Sequence, residues 1–303
     1  MHRRPLCILF ALIVCLLSLP AAADTAASDS ADLPPLPQEK YYLSDTQYQD
    51  PTISVQVYTG GRIYETDYMY AVIKISQPNQ LRTAMAYRYN YHKAVPGLTI
   101  AKANRAVLAV NADYHTMYEN GYLTRRGVNY RNRPDANWDV LIIDQNGDMH
   151  GIVEPEDWKI TEWQQANPSL AIVDTFNFGP VLMQDGEWRE VTRENMLNLY
   201  RIEGDKYASR MAICQLDTLT YMVVACESPE DENSRGMTLA EFTDCLREAE
   251  SKLDGYRIRF AYNLDGGNST TIIFHDQKIN PTGTARGRDL SDIIYFVTAW
   301  QEE

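Results

Sequence analysis

The chain has 303 residues and a formal net charge of −13, from 28 Lys and Arg against 41 Asp and Glu. Such an acidic balance argues against a nucleic-acid partner, whose phosphates it would repel. The length is enough to bury a large core.

The first residues read as an address. His2, Arg3 and Arg4 are followed by the apolar run Leu6–Leu19, then Pro20 and Ala21-Ala22-Ala23. Basic, apolar, then small residues is the layout of a secretory signal, with cleavage expected after Ala23. The apolar run is about 14 residues, short of the roughly 20 that cross a bilayer. The expectation is a secreted, extracellular or periplasmic protein with no stable membrane span after cleavage. Residues 24–40 are rich in Ala, Ser, Asp and Pro, including Pro34, Pro35 and Pro37, and predict a disordered or extended linker. One domain then follows over residues 41–303. Beyond the signal, Cys214, Cys226 and Cys245 are an odd set, so at least one stays unpaired. A disulfide between Cys214 and Cys226 is left open, and no spacing fits a structural zinc site.

The domain opens with strands. Ile53–Tyr58 alternates apolar and polar residues, and Gly60-Gly61 reads as a turn. Tyr68–Ile75 places Met69, Ala71, Ile73 and Ile75 on one face. Ala106–Val110 is a short unbroken apolar run, the mark of a buried central strand. Trp138–Ile143 is closed by Asn146-Gly147, a tight hairpin signal. Val181–Met183 before Asp185-Gly186 repeats that pattern, and Arg210–Cys214 with Leu219–Cys226 reads as a further hairpin. One helix is clear over Met237–Leu253, with Leu239, Phe242, Leu246, Ala249 and Leu253 three to four residues apart. Thr238 and Glu241 form a capping-box pattern at its start, and Gly255 follows its end. Strands return at Ile258–Leu264, Thr271–Phe274 and Ile293–Thr298. Many strands, one or two helices and no regular βαβ alternation predict an α+β single domain, its sheet mixed or largely antiparallel with few helices packed against it.

The strongest chemical signal is Asn263-Leu264-Asp265-Gly266-Gly267-Asn268-Ser269-Thr270. A strand runs into a double glycine, which lets the backbone turn sharply and approach a ligand closely. The Asn263 amide, the Asp265 carboxylate and the Ser269 and Thr270 hydroxyls then converge on a polar cup, with a decorated hairpin as the plainer reading.

This stretch closely resembles the motif of the phosphodiester glycosidase family, and other stretches agree in the same order. Ala106–Tyr114 is similar to a family strand ending in Asn-Gly-Asp-Tyr. Gly121-Tyr122 with Arg125-Arg126-Gly127, Phe178-Gly179-Pro180 with Asp185-Gly186, Ser209-Arg210, Gly236–Leu239, Asn280-Pro281, Gly287-Arg288 and Ser291–Ile294 match further segments. The resemblance implies an exported hydrolase that releases a sugar from a sugar-1-phosphodiester in a glycan or cell-envelope polymer, with a carbohydrate or sugar-phosphate substrate. The diester asks for a guanidinium clamp, and the oxocarbenium-like sugar carbon asks for a carboxylate. On that logic Arg210 is the expected clamp and Asp265 the nucleophile, base or charge stabiliser. Asn263 and Asn111 orient sugar or phosphate, Ser269 and Thr270 donate hydroxyls, and Gly266 and Gly267 allow close approach. Asp113 and His115 are candidates for acid–base work, although a lone His in a polar loop more often does nothing special. Asp265 with Asp113 also offers oxygens to a divalent cation, and no metal is assigned.

Departures from the family pattern bear on activity. Asp-Gly-Arg is replaced by Cys226-Glu227-Ser228, leaving Glu227 as a substrate contact of uncertain value. A glycine becomes Ala112, and Arg-Thr becomes Arg210-Met211. The alternative is therefore a catalytically degenerate glycan- or phosphoglycan-binding protein on the same fold.

Overall fold

The computed structural model describes residues 33–302 apart from 90, 91, 118, 134, 155, 156, 197, 198, 200 and 229–232. The signal reading and residues 24–32 of the linker lie outside the described residues. The end of the linker, residues 33–38, is extended but lies on the domain. Pro34 is buried, and its carbonyl accepts a hydrogen bond from Arg105 Nη1 at 2.9 Å.

Two sheets face each other. The larger has nine strands in the order Tyr42–Ser44, Gln47–Gln49, Ile53–Ile63, Thr66–Ile75, Thr220–Cys226, Arg210–Asp217, Phe260–Leu264, Val181–Gln184 and Glu187–Trp188. The second has five, in the order Gln277–Lys278, Ile272–Phe274, Leu108–Asn111, Asp292–Phe296 and Leu81–Met85. A three-stranded sheet, Met149–Ile152, Val140–Asp144 and Ile172–Phe176, lies beside it. Every pairing among the described residues is antiparallel, so the α+β class is observed.

The alternation of side chains sorts the core into layers. Val55, Met69, Ala71, Ile73, Ile213, Val223 and Leu264 point into the space between the sheets and meet Leu108, Val110, Ile272, Ile294 and Phe296. Their neighbours Ala212, Cys214, Met222 and Val224 point the other way, onto helix α3, Leu239–Ser251. Leu239, Phe242, Leu246 and Ala249 form its buried stripe. The expected capping box is present: Thr238 Oγ1 accepts from Glu241 N at 3.2 Å, and the Glu241 carboxylate accepts from Thr238 N at 3.0 Å. Leu108–Asn111 is the middle strand of its sheet and wholly buried, as its unbroken apolar run implies.

Two readings change, and one left open is decided. Gly60-Gly61 is not a turn; it lies in the strand Ile53–Ile63, where the register shifts between Tyr58 and Gly61. The turn comes at Tyr64-Glu65, both at positive φ. A Cβ at Gly61 would lie 2.4 Å from the Tyr68 ring, so glycine is there to admit that ring. Two further helices occur, α1 (Gly97–Ala103) and α2 (Asp157–Ala166). Cys214, Cys226 and Cys245 are all buried free thiols, so the disulfide does not form. No helix among the described residues is long and apolar enough to cross a membrane.

Candidate active site

The loop that follows Asp265 leaves the nine-stranded sheet and enters the five-stranded one, so it bridges the seam between them. Asn111, at the end of the central strand, fastens both of its ends. Its Nδ2 donates to the Asp265 carbonyl at 2.7 Å, and its Oδ1 accepts from Thr271 N at 3.0 Å. Asn280 adds a second fastening, from Nδ2 to the Thr270 carbonyl at 2.9 Å and from Ile272 N to its Oδ1 at 2.7 Å. The double glycine packs against Ser209. Gly267 N donates to the Ser209 carbonyl at 2.8 Å, and Ser209 Oγ donates to the Gly267 carbonyl at 2.7 Å. A Cβ at Gly266 would stand 2.7 Å from the Ser209 carbonyl oxygen, and Gly267 has φ +56°. Both positions therefore require glycine.

This backbone holds Asp265 half-buried. Burial is the main reason its carboxyl is pushed up from 3.8 to about 6; Ser269, Arg288 and the Gly266 amide pull the other way, and Asp292 adds to the rise. Arg288 is exposed, with Nη1 3.4 Å from Ser269 Oγ and its guanidinium carbon 5.1 Å from the centre of the Tyr114 ring. A carboxylate, a hydroxyl and a cation thus share one patch.

Behind it lies a buried charge cluster. Arg125 Nη2 donates to Asp113 Oδ1 at 2.8 Å and to Asp292 Oδ2 at 2.6 Å. The guanidinium also lies 4.4 Å from the centre of the Phe176 ring and donates to the Thr175 carbonyl. Asn177 N donates to Asp113 Oδ2 at 2.9 Å, Ser291 Oγ to Asp292 Oδ1 at 2.9 Å, and His115 Nδ1 lies 3.4 Å from Asp292 Oδ2. Burial acts on both carboxyls. The charges of His115 and Arg125 outweigh it at Asp292, which is held far below the usual range, while Asp113 is raised. The two carboxyls share one guanidinium, so they titrate as a pair.

The expected residues divide accordingly. Asp265, Ser269, Gly266, Gly267 and Asn111 come together at the seam. Asp113 does not open onto the cup, because Arg125 and Asn177 take up its oxygens. Asn263 lies in the strand Phe260–Leu264, where its Nδ2 donates to the Gly179 carbonyl at 2.8 Å and its Oδ1 is buried without a partner. Thr270 Oγ1 is likewise buried and unpartnered. Glu227 Oε2 accepts from Thr282 Oγ1 at 2.6 Å, in a separate cluster beside Lys278. Arg210 departs most from expectation. Its guanidinium donates to the carbonyls of Met237, Ile202, Glu203 and Lys206 at 2.7–3.2 Å, so it ties down the segment 202–206 instead of facing Asp265. The cation beside Asp265 is Arg288, which the motifs contained but no spacing rule singled out. Arg125 and Asp292 were hidden in the same way.

For a divalent cation, Asp113 groups with His115 and Asp292 among the described residues. Asp113, His115 and Asp292 bring ligand atoms within 4.8 Å of one another, a spacing that suits a metal ion. Arg125 already bridges the two carboxylates, so the guanidinium occupies the place a cation would take.

An antiparallel α+β sandwich with an aspartate loop across its seam is the class of protein these features define. The model of the phosphodiester glycosidase family matches residues 104–297, and the chain belongs to that family. Among solved structures, the zebrafish N-acetylglucosamine-1-phosphodiester alpha-N-acetylglucosaminidase catalytic domain, auto-inhibited by its pro-peptide, aligns with a TM-score of 0.61 at 17% identity, covering 82% of this chain and 85% of that one. A hypothetical protein from Synechocystis aligns with a TM-score of 0.53 at 16% identity, covering 82% and 62%. Both share the fold. No curated protein matches the sequence.

Proposed function

We propose that this chain is an exported hydrolase that cleaves the bond between sugar and phosphate in a sugar-1-phosphodiester of a glycan or cell-envelope polymer. The observation that carries the reading is the half-buried Asp265 on the family's aspartate-diglycine loop, its carboxyl pushed up to about 6, with the exposed Arg288 beside it. Arg288 replaces Arg210 as the phosphate clamp; its planar fork matches two diester oxygens. Asp265 in its ionised form faces the sugar carbon as positive charge develops there. Phosphate is a fair leaving group, so the reaction needs less help from a strong acid than an ordinary glycoside does. Ser269 holds the carboxylate in place. The buried Asp113–Arg125–Asp292 cluster fixes the floor under it.

The test uses the full chain and Asp265→Asn on a panel of sugar-1-phosphodiesters, in water enriched in heavy oxygen, with and without chelator. Sugar release by the parent alone supports the reading, and label on the sugar identifies C–O cleavage. Binding across the panel with no release in any condition would instead assign the chain to glycan binding without turnover. Arg288→Met should raise KM by about 10–100-fold, the loss of one charge-assisted contact worth about 1.5–3 kcal/mol.

A further inference from the structure

The charge of the chain is unevenly spread. Residues 81–134 hold nine Lys and Arg against two Asp and Glu, while the rest of the sequence holds nineteen against thirty-nine. Two parts of this stretch lie beside the site, the hairpin that carries Arg125 and the segment of Tyr89. The hairpin of Gly121–Arg125 and Val128–Arg133 supplies the buried Arg125 from one strand, and the outer strand exposes all its residues except Arg131. Tyr130 on that strand packs 5.4 Å from Tyr89, whose ring lies 6.3 Å from His115, one residue from the Tyr114 that carries Arg288. Aromatic rings thus run outward from the reactive carboxylate. Arg88 and Arg133 are exposed beside them and make no ion pair among the described residues. At the hairpin turn, Arg126 and Arg82 line a cleft of about 260 Å³.

From this we infer that the substrate is a polyanion, a glycan chain with several phosphodiester links, held beyond the scissile unit by Arg88 and Arg133 with sugar rings stacked on Tyr130. The inference rests on the sugar-phosphodiesterase reading of Asp265 and names its substrate class. A single diester needs one clamp, and Arg288 supplies it; Arg88 and Arg133 find their partners in further phosphates. Interleaved tyrosines suit sugars, which present apolar ring faces between the charges. The remainder of the molecule is net acidic, so the field favours the approach of a chain end to this face.

The experiment measures binding in the Asp265→Asn background, which separates binding from turnover. The probes are a synthetic hexamer of a sugar 1-phosphate joined by phosphodiesters, the corresponding monomeric diester, and single-stranded DNA of the hexamer's charge. The hexamer should bind at least tenfold tighter than the monomer. Two or three phosphate contacts should weaken that binding roughly ten- to twentyfold between 50 and 200 mM salt. Arg88→Ser/Arg133→Ser should remove most of the advantage, and circular dichroism checks that this surface variant folds. A hexamer that binds no better than the monomer overturns the inference while leaving monomer hydrolysis standing. DNA that binds as well as the hexamer also overturns it and assigns the face to nucleic acid. Tight hexamer binding by a parent enzyme that hydrolyses no diester would sink the hydrolase reading instead, leaving a binder of the same polyanion.

Discussion

Asp265 ties stability to pH in a direction opposite to most carboxylates, and Asp265→Asn exposes it. A carboxyl raised from 3.8 to about 6 binds its proton more tightly when the chain is folded. Its contribution is therefore intact below pH 3.8, falls as pH rises through the interval to about 6, and stays reduced above that. The size follows from 1.36 kcal/mol per pH unit, about 3 kcal/mol across this interval. Asparagine has the same shape and no charge to desolvate. Relative to the parent, the variant should gain about 2–3 kcal/mol in folding stability between pH 3.5 and pH 8. Urea unfolding of both proteins at the two pH values measures it, and other titrating groups cancel in the comparison. A stability difference that is the same at both pH values would refute the desolvation argument. Activity supplies a second readout. If Asp265 works ionised, kcat/KM of the parent rises through about pH 6; a fall there would make it the general acid.

Arg125→Met should destabilise the fold by about 3–5 kcal/mol, because it leaves Asp113 and Asp292 buried without their counter-charge; thermal unfolding at pH 7 reads this, and the deficit should shrink in acid as the carboxyls protonate. Arg210→Leu should cost about 2–4 kcal/mol through four orphaned carbonyls, whereas Arg210→Lys should fold well enough to assay and leave KM for a phosphodiester within about twofold, since the guanidinium does not face Asp265; a KM rise as large as that of Arg288→Met would restore Arg210 as the clamp. Asn111→Ala should lower both stability, by about 1–3 kcal/mol, and kcat, because the loop loses the side chain that fastens its two ends; unchanged turnover would show that Asn280 suffices.

The elements legible in the sequence were those whose pattern states their burial. Ile53–Tyr58 alternates because one face meets the opposite sheet, Ala106–Val110 is apolar throughout because both faces are covered, and α3 carries both its stripe and its cap. The elements that escaped lack such marks. Gly97–Ala103 begins after Pro96 with no side-chain cap, and Val128–Arg133 is an exposed strand with no apolar alternation. Gly60-Gly61 misled because a bulge and a turn recruit the same residue. At the site, the Asp265 loop could be read because its glycines are demanded locally, by the Ser209 carbonyl and by positive φ. Arginines could not be sorted that way. Arg125, Arg210 and Arg288 look alike in a sequence, and only packing decides that the first bridges two carboxylates, the second binds carbonyls and the third meets solvent.

The Asp265 loop has no fold of its own; it is suspended between two sheets, with Asn111 holding both ends and Asp292 beneath it on the neighbouring strand. Fraying of the five-stranded sheet would remove Asn111, Asp292 and the Thr271 attachment together. The Asp265 loop and that sheet therefore form one cooperative unit, and the amides of Gly267 and Thr271 should exchange with solvent at the rate of the Leu108–Asn111 strand and not at that of a surface loop. Such a site has no half-formed state: a molecule either presents the whole carboxylate loop or none of it.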